Sequence, residues 1–108
     1  MTYNFPSTIV GDTFPGVQFT VLVNGTGLDL NGAYVDMMVK ENVESPCSHS
    51  YNTLNTGLSI LTASSGIFAF NPQIITLPAN QYVYDIKFDL NDGTVRTYIS
   101  GSFFVVNA

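Results

Sequence analysis

Charge is what this sequence has least of. Only 10% of its 108 residues are Asp, Glu, Lys or Arg, against about 25% in an average soluble domain. Disorder does not follow, because a disordered chain is poor in apolar residues, and here 45% are hydrophobic and 13% aromatic. The cations are limited to Lys40, Lys87 and Arg96, scattered through a chain of net charge −5. Three dispersed cations cannot neutralise a run of phosphates, so nucleic acid is not an expected partner. Nor is there a polybasic segment for an anionic membrane. Cys47 stands alone, which excludes an intrachain disulfide and fits a reduced thiol. Tryptophan, the usual sugar-stacking side chain, is absent. No window reaches the roughly 18 consecutive apolar residues of a membrane helix. The first residues, Met1 to Asp12, lack the basic start and apolar stretch of a secretory signal.

What is present is period-two alternation. Val17, Phe19, Val21 and Val23 are apolar at odd positions. From Tyr82 to Leu90 every even position is apolar or aromatic, with Asp85, Lys87 and Asp89 between them. This places one face on a core and the other in solvent, and does not keep helical spacing. Turn chemistry separates the runs. Asn91-Asp92-Gly93 predicts a hairpin into Thr94–Ser100, and Asn24-Gly25-Thr26-Gly27 closes the Val17–Val23 strand. Asn31-Gly32 precedes a strand at Ala33–Lys40, while Gly57 and Gly66 flank runs at Leu58–Leu61 and Ile67–Phe70. Ile74–Leu77 is one more short run, closed by Pro78. Gly101 interrupts the last strand, where a bulge or a close backbone approach is expected. Glu44–Thr53 is polar, contains Pro46, and reads as a connecting loop. The pattern predicts a single all-β domain over residues 1–108, an immunoglobulin-like antiparallel β-sandwich of seven to eight strands.

No catalytic, cofactor-binding or metal residues are expected in this sequence. Cys47 and His49 are two soft ligands where a structural zinc site needs four. Asp85 and Asp89 lie on one strand face about 13 Å apart, too far for a glycosidase pair. With Lys87 between them they read as an outer face with cross-strand partners such as Arg96. Asn91-Asp92-Gly93 lacks the acidic ligands that complete a calcium loop. No nucleophile–histidine–acid signature is visible, and an enzyme is not expected.

The aromatic residues at core phase, Tyr82, Tyr84 and Phe88, belong inside. The off-phase Tyr98 and Phe104 and the N-terminal Tyr3 and Phe5 are the exposed candidates. The final strand carries apolar residues on both faces (Phe103, Phe104, Val105, Val106), whereas an isolated antiparallel sheet keeps one face polar. A neighbouring subunit would cover the second face. The candidate protein-contact residues are therefore Tyr3, Phe5, Tyr98, Phe104 and Val106.

A longer pattern runs through Gly11-Asp12-Thr13-Phe14, Phe19-Thr20-Val21, Asn24-Gly25 and Leu28 to Ala33. It continues with Ser65 to Phe68, Leu77-Pro78-Ala79, Tyr82 to Ile86, Asp92 to Val95 and Gly101 to Val105. This order resembles small immunoglobulin-like β-sandwich structural proteins of tailed bacteriophages, similar to the N-terminal module of baseplate upper proteins. The resemblance spans about Thr8 to Val106 and rests on turn and strand signals. It implies a virion component in many symmetric copies, such as a tail, baseplate, head–tail connector, ring or decoration subunit. Its expected partners are other virion structural proteins, with no catalytic residues to transfer. The competing expectation is a carbohydrate-binding or adhesion module of the same architecture.

Overall fold

The computed structural model describes every residue except Met1, Val43, Ser45, Pro46 and Ala108, and leaves aside the side chains of Cys47 and Ser48. Whether Cys47 is a free thiol lies outside the described residues. The strands in chain order are β1 (Thr8–Ile9), β2 (Thr13–Phe14), β3 (Val17–Thr20), β4 (Leu22–Val23), β5 (Thr26–Gly27) and β6 (Tyr34–Lys40). They continue with β7 (Cys47–Asn52), β8 (Leu58–Thr62), β9 (Ile67–Phe70), β10 (Gln73–Ile74), β11 (Asn80–Asp89) and β12 (Val95–Val106). A 3-10 turn, Ala63–Ser65, joins β8 to β9.

Alternation produces the two layers. Inward residues of β6 (Val35, Met37, Val39) and β11 (Tyr82, Tyr84, Ile86, Phe88) are all buried. They form one face of a five-stranded sheet ordered β1-β12-β11-β6-β7. The opposing sheet is β3-β9-β8, with Phe19, Phe68, Phe70 and Leu58 turned inward. Rings meet across the interior. The Phe68 and Phe88 centroids are 5.5 Å apart, and those of Tyr51 and Phe70 4.9 Å apart. The protein is an all-β sandwich. β2 and β10 form a small ribbon at its margin, and β4 and β5 form another.

Turns match their residues. Asn24 (φ 54°) and Gly25 (φ 77°) both adopt positive φ between β4 and β5, as a type I′ hairpin demands. Gly93 (φ 85°) closes the β11–β12 hairpin, with Gly93 N–H donating to the Leu90 carbonyl at 2.9 Å. Near the start of β11 the Tyr82 hydroxyl donates to the Pro78 carbonyl at 2.7 Å. This bond back to the chain four residues upstream is the tyrosine corner of immunoglobulin-like sandwiches.

Two expectations need correction, and a third is met in one of its two forms. Glu44–Thr53 is not all loop, because Cys47–Asn52 forms β7, the edge strand beside β6. An edge strand needs only one paired side and one inward apolar group, here Tyr51, so its sequence can stay polar. Arg96 is not aligned with any residue of the Asp85–Lys87–Asp89 face. The cross-strand neighbours of Lys87 are Thr97 and Asp36, while Arg96 aligns with Phe88. At Gly101, of the bulge or close backbone approach expected there, the structure shows the close approach, with the Tyr3 carbonyl against the glycine. The bulge of this strand lies where the register of β11 against β12 shifts between Ile86 and Lys87, opposite Tyr98.

The buried phenols carry a pH consequence. Burial pushes the Tyr51 hydroxyl up to about 12, and burial also raises Tyr84. A phenol whose folded pKa exceeds its unfolded value of about 10 favours the folded state while it stays protonated. Stability is therefore expected to be flat with respect to these groups below pH ~10 and to fall as pH rises from there through about 12. Denaturant melts from pH 8 to 12 check this, and Tyr51→Phe should flatten the decline.

Candidate functional site

The five candidate contact residues are not gathered on one surface. Phe104 and Val106 point outward from β12 and are 37% and 41% exposed. Between them Val105, like Phe103 before it, is buried. This is the doubly apolar strand anticipated from sequence, with its outer face open in the single chain. β1 adds Ile9, 37% exposed and aligned with Val106. Sequence reasoning missed Ile9, since only two residues of β1 pair and no alternation precedes them. Together Ile9, Phe104 and Val106 form an apolar row along the outer edge of the larger sheet.

Phe5 is the clear correction. It is 5% exposed and sits among aromatic rings, with centroids of Tyr84, Phe103, Phe70 and Phe14 at 5.0, 5.1, 5.5 and 5.8 Å. The N-terminal segment lies along β12 and delivers this ring between the sheets. Burial of a side chain of this size outweighs any surface use. Tyr3 is half-buried, its ring edge-on to Phe5 at 5.0 Å and to Phe19 at 5.3 Å. Tyr98 is also half-buried, because the bulge turns it toward the core, 5.7 Å from the Phe88 ring. A bulge shifts the facing of residues by one, so a strict alternation count misplaces them.

Beside the apolar row, the outer face of β6, β11 and β12 holds a shallow depression of about 300 Å³ lined by Lys40, Val83, Asp85 and Ser100. Lys40 Nζ lies 3.9 Å from Asp85 Oδ2, an ion pair beyond hydrogen-bond distance. Asp85 Oδ1 is buried and has no hydrogen-bond partner among the described residues.

A second cleft, about 370 Å³, opens at one end of the sandwich between the Leu28–Asn31 and Leu90–Asp92 segments. Its carboxylates serve their own turns. Asp29 Oδ1 accepts from the Asn31 backbone N–H at 3.0 Å and from Asn31 Nδ2 at 2.8 Å. Asp92 Oδ1 accepts from the Thr94 N–H at 2.9 Å. Hydrogen bonds from the Thr94 hydroxyl and backbone hold the Asp92 carboxyl below the usual carboxylate range. Among the described residues, no three His, Cys, Asp or Glu side chains converge on a common point. The His49 ring rests 4.4 Å from that of Tyr51.

No family model matches the chain, and no curated protein matches it. Among solved structures it is similar to CopC from Methylosinus trichosporium OB3b. That likeness has a TM-score of 0.50 at 13% identity and covers 94% of this chain and 84% of that one. The likeness is one of fold. At that identity it supports the all-β sandwich and brings no ligand or activity with it.

Proposed function

We propose that this chain is a non-catalytic structural subunit of a tailed-phage particle, held in a symmetric multi-copy array by contacts with other virion proteins. The observation that carries the reading is the apolar row Ile9, Phe104 and Val106, exposed on one sheet edge of a protein with few charges to oppose association. Low surface charge leaves such a row unprotected in an isolated monomer. Many symmetric copies make weak individual contacts sufficient for a stable array. The sequence pattern from Thr8 to Val106 favours a virion as the setting.

Mass spectrometry and cryo-EM of purified particles test the reading. The chain is expected in stoichiometric, symmetric copies. Absence from particles, with a monomeric protein that binds a soluble ligand tightly, would overturn it. A matched variant isolates the surface. Phe104→Ser combined with Val106→Ser is expected to leave the melting temperature within a few degrees, because both side chains are already partly in water. The same variant should lose multimer formation in light scattering.

The alternative, a carbohydrate-binding or adhesion module, draws on the end cleft with its Asn31, Asn91 and Asp92 side chains beside Leu28 and Leu90. A glycan array decides between the two, with binding lost in Asn91→Ala favouring the module.

A further inference from the structure

We propose that the N-terminal segment, residues 2–10, is an exchangeable strand that seats in the same groove of a second copy of this chain. The inference rests on the reading of the chain as an assembling subunit and names how one copy grips the next.

The backbone of the segment pairs with one strand only. The Tyr3 N–H donates to the Ser100 carbonyl at 2.9 Å, and the Phe5 N–H to Ser102 at 3.0 Å. Thr8 and Ile9 pair in parallel with Val105 and Val106, and the Val10 N–H donates to the Val106 carbonyl at 3.0 Å. Each of these bonds goes to β12, so the segment is an added edge strand whose removal leaves the β12-β11-β6-β7 pairing untouched. Addition of a strand to an exposed edge is a general mode of protein recognition.

The groove is shaped to this segment. At Gly101 a β-carbon would overlap the Tyr3 carbonyl oxygen, so the missing side chain is the space that the segment's backbone occupies. The Tyr84 hydroxyl donates to that same carbonyl. The Ser102 N–H donates to Asn4 Oδ1 at 3.1 Å. Phe5 fills a slot walled by Phe14, Phe70, Tyr84 and Phe103. An identical segment from a neighbour meets every one of these requirements, which commits the occupant to a second copy.

The connection permits exchange. Gly11, at φ 85°, follows the segment. At this turn only the bond from the Asp12 N–H to the Ile9 carbonyl, 3.1 Å, has to open as the segment swings away, since the Gly11 N–H and the Asp12 carbonyl are paired with Ile75. Asp12 is exposed. Beyond this hinge, β2 pairs with β10 and not with β12. Nine residues in extended form span about 30 Å, enough to reach a flanking molecule. Exchange of an identical element is a low-cost route to assembly because it creates no new contact chemistry. It also places Ile9 of one copy against Val106 of the next, so the apolar row would lie where the two chains cross.

The test uses the full chain with Cys47→Ser, Asn4→Cys and Ser102→Cys, prepared in ordinary and ¹⁵N-labelled forms. Assembled together and oxidised, the chains are expected to yield linked peptides of mixed isotope content, approaching half of all linked pairs. Links only between like isotopes would overturn the proposal. Should no disulfide form, a labelled synthetic peptide of residues 2–12 added to the unmodified chain decides the matter. Retention that is at least about a hundredfold weaker for the Phe5→Ala peptide supports exchange, and equal or absent retention of both peptides overturns it. A chain that exchanges strands yet is missing from virions overturns only the virion reading, while a virion subunit with no mixed links overturns only the exchange.

Discussion

Replacing Phe5 by alanine is expected to destabilise the protein by about 3–5 kcal/mol, the range for losing a large aromatic side chain from a packed core. The ring is 5% exposed and lies within aromatic contact of residues from both sheets and from the marginal ribbon. Its removal leaves Phe14, Phe70, Tyr84 and Phe103 facing a void that strands held in register cannot close. A domain of this size has a total stability of roughly 5–15 kcal/mol, so one substitution consumes a large part of it. Urea denaturation followed by far-UV circular dichroism measures the change. Phe5→Leu should recover most of the loss, since it restores much of the apolar volume. A Phe5→Ala variant that unfolds within about 1 kcal/mol of the parent would show that the N-terminal segment contributes little to the core.

Gly101→Ala is expected to be nearly as damaging, by a different route. The added methyl would stand on the Tyr3 carbonyl, a backbone atom that cannot rotate away as a side-chain tip could. Either β12 bends or the segment lifts, and lifting breaks fewer backbone bonds because the segment pairs with β12 alone while β12 also pairs with β11. Lifting removes the Tyr3 and Phe5 backbone bonds to β12 and withdraws Phe5 from its slot. The cost is about 3–5 kcal/mol, above ordinary overpacking changes, because the lifted segment takes Phe5 out of the core. Hydrogen exchange distinguishes this from general destabilisation. Protection should be lost first at Tyr3 and Phe5, while Tyr84 and Ile86 in β11 stay protected. Uniform loss across both sheets would indicate that β12 itself had moved.

Phe5 also marks the limit of what was legible from sequence, whereas the close approach at Gly101 was expected from it. The alternation of Tyr82–Phe88 and of the inward β6 residues reads directly, because each strand carries its own periodicity. The turns at Asn24-Gly25 and Asn91–Gly93 read equally well, since positive φ restricts the residue types locally. Phe5 stands between Asn4 and Pro6 with no alternation around it. Nothing nearby marks it as a core residue. β7 escapes notice because an edge strand tolerates polar residues. Tyr98 is misassigned because a bulge leaves no residue-type mark at that position. For the contact surface, Phe104 and Val106 follow from counting faces on the last strand, while Ile9 requires knowing that β1 lies against it.

The sequence by itself determined an all-β domain, the position of its main strands, and an unusually apolar last strand. Each of these follows from forces that act over a few residues: side-chain alternation, turn geometry, and the cost of burying charge. The tertiary structure decided what those strands meet. It alone placed residues 2–10 in parallel with a strand nearly a hundred positions later, paired Ile9 with Val106, and turned Phe5 inward. Parallel edge pairing between distant segments depends on a groove that exists only after both sheets have packed, so no local signal can announce it.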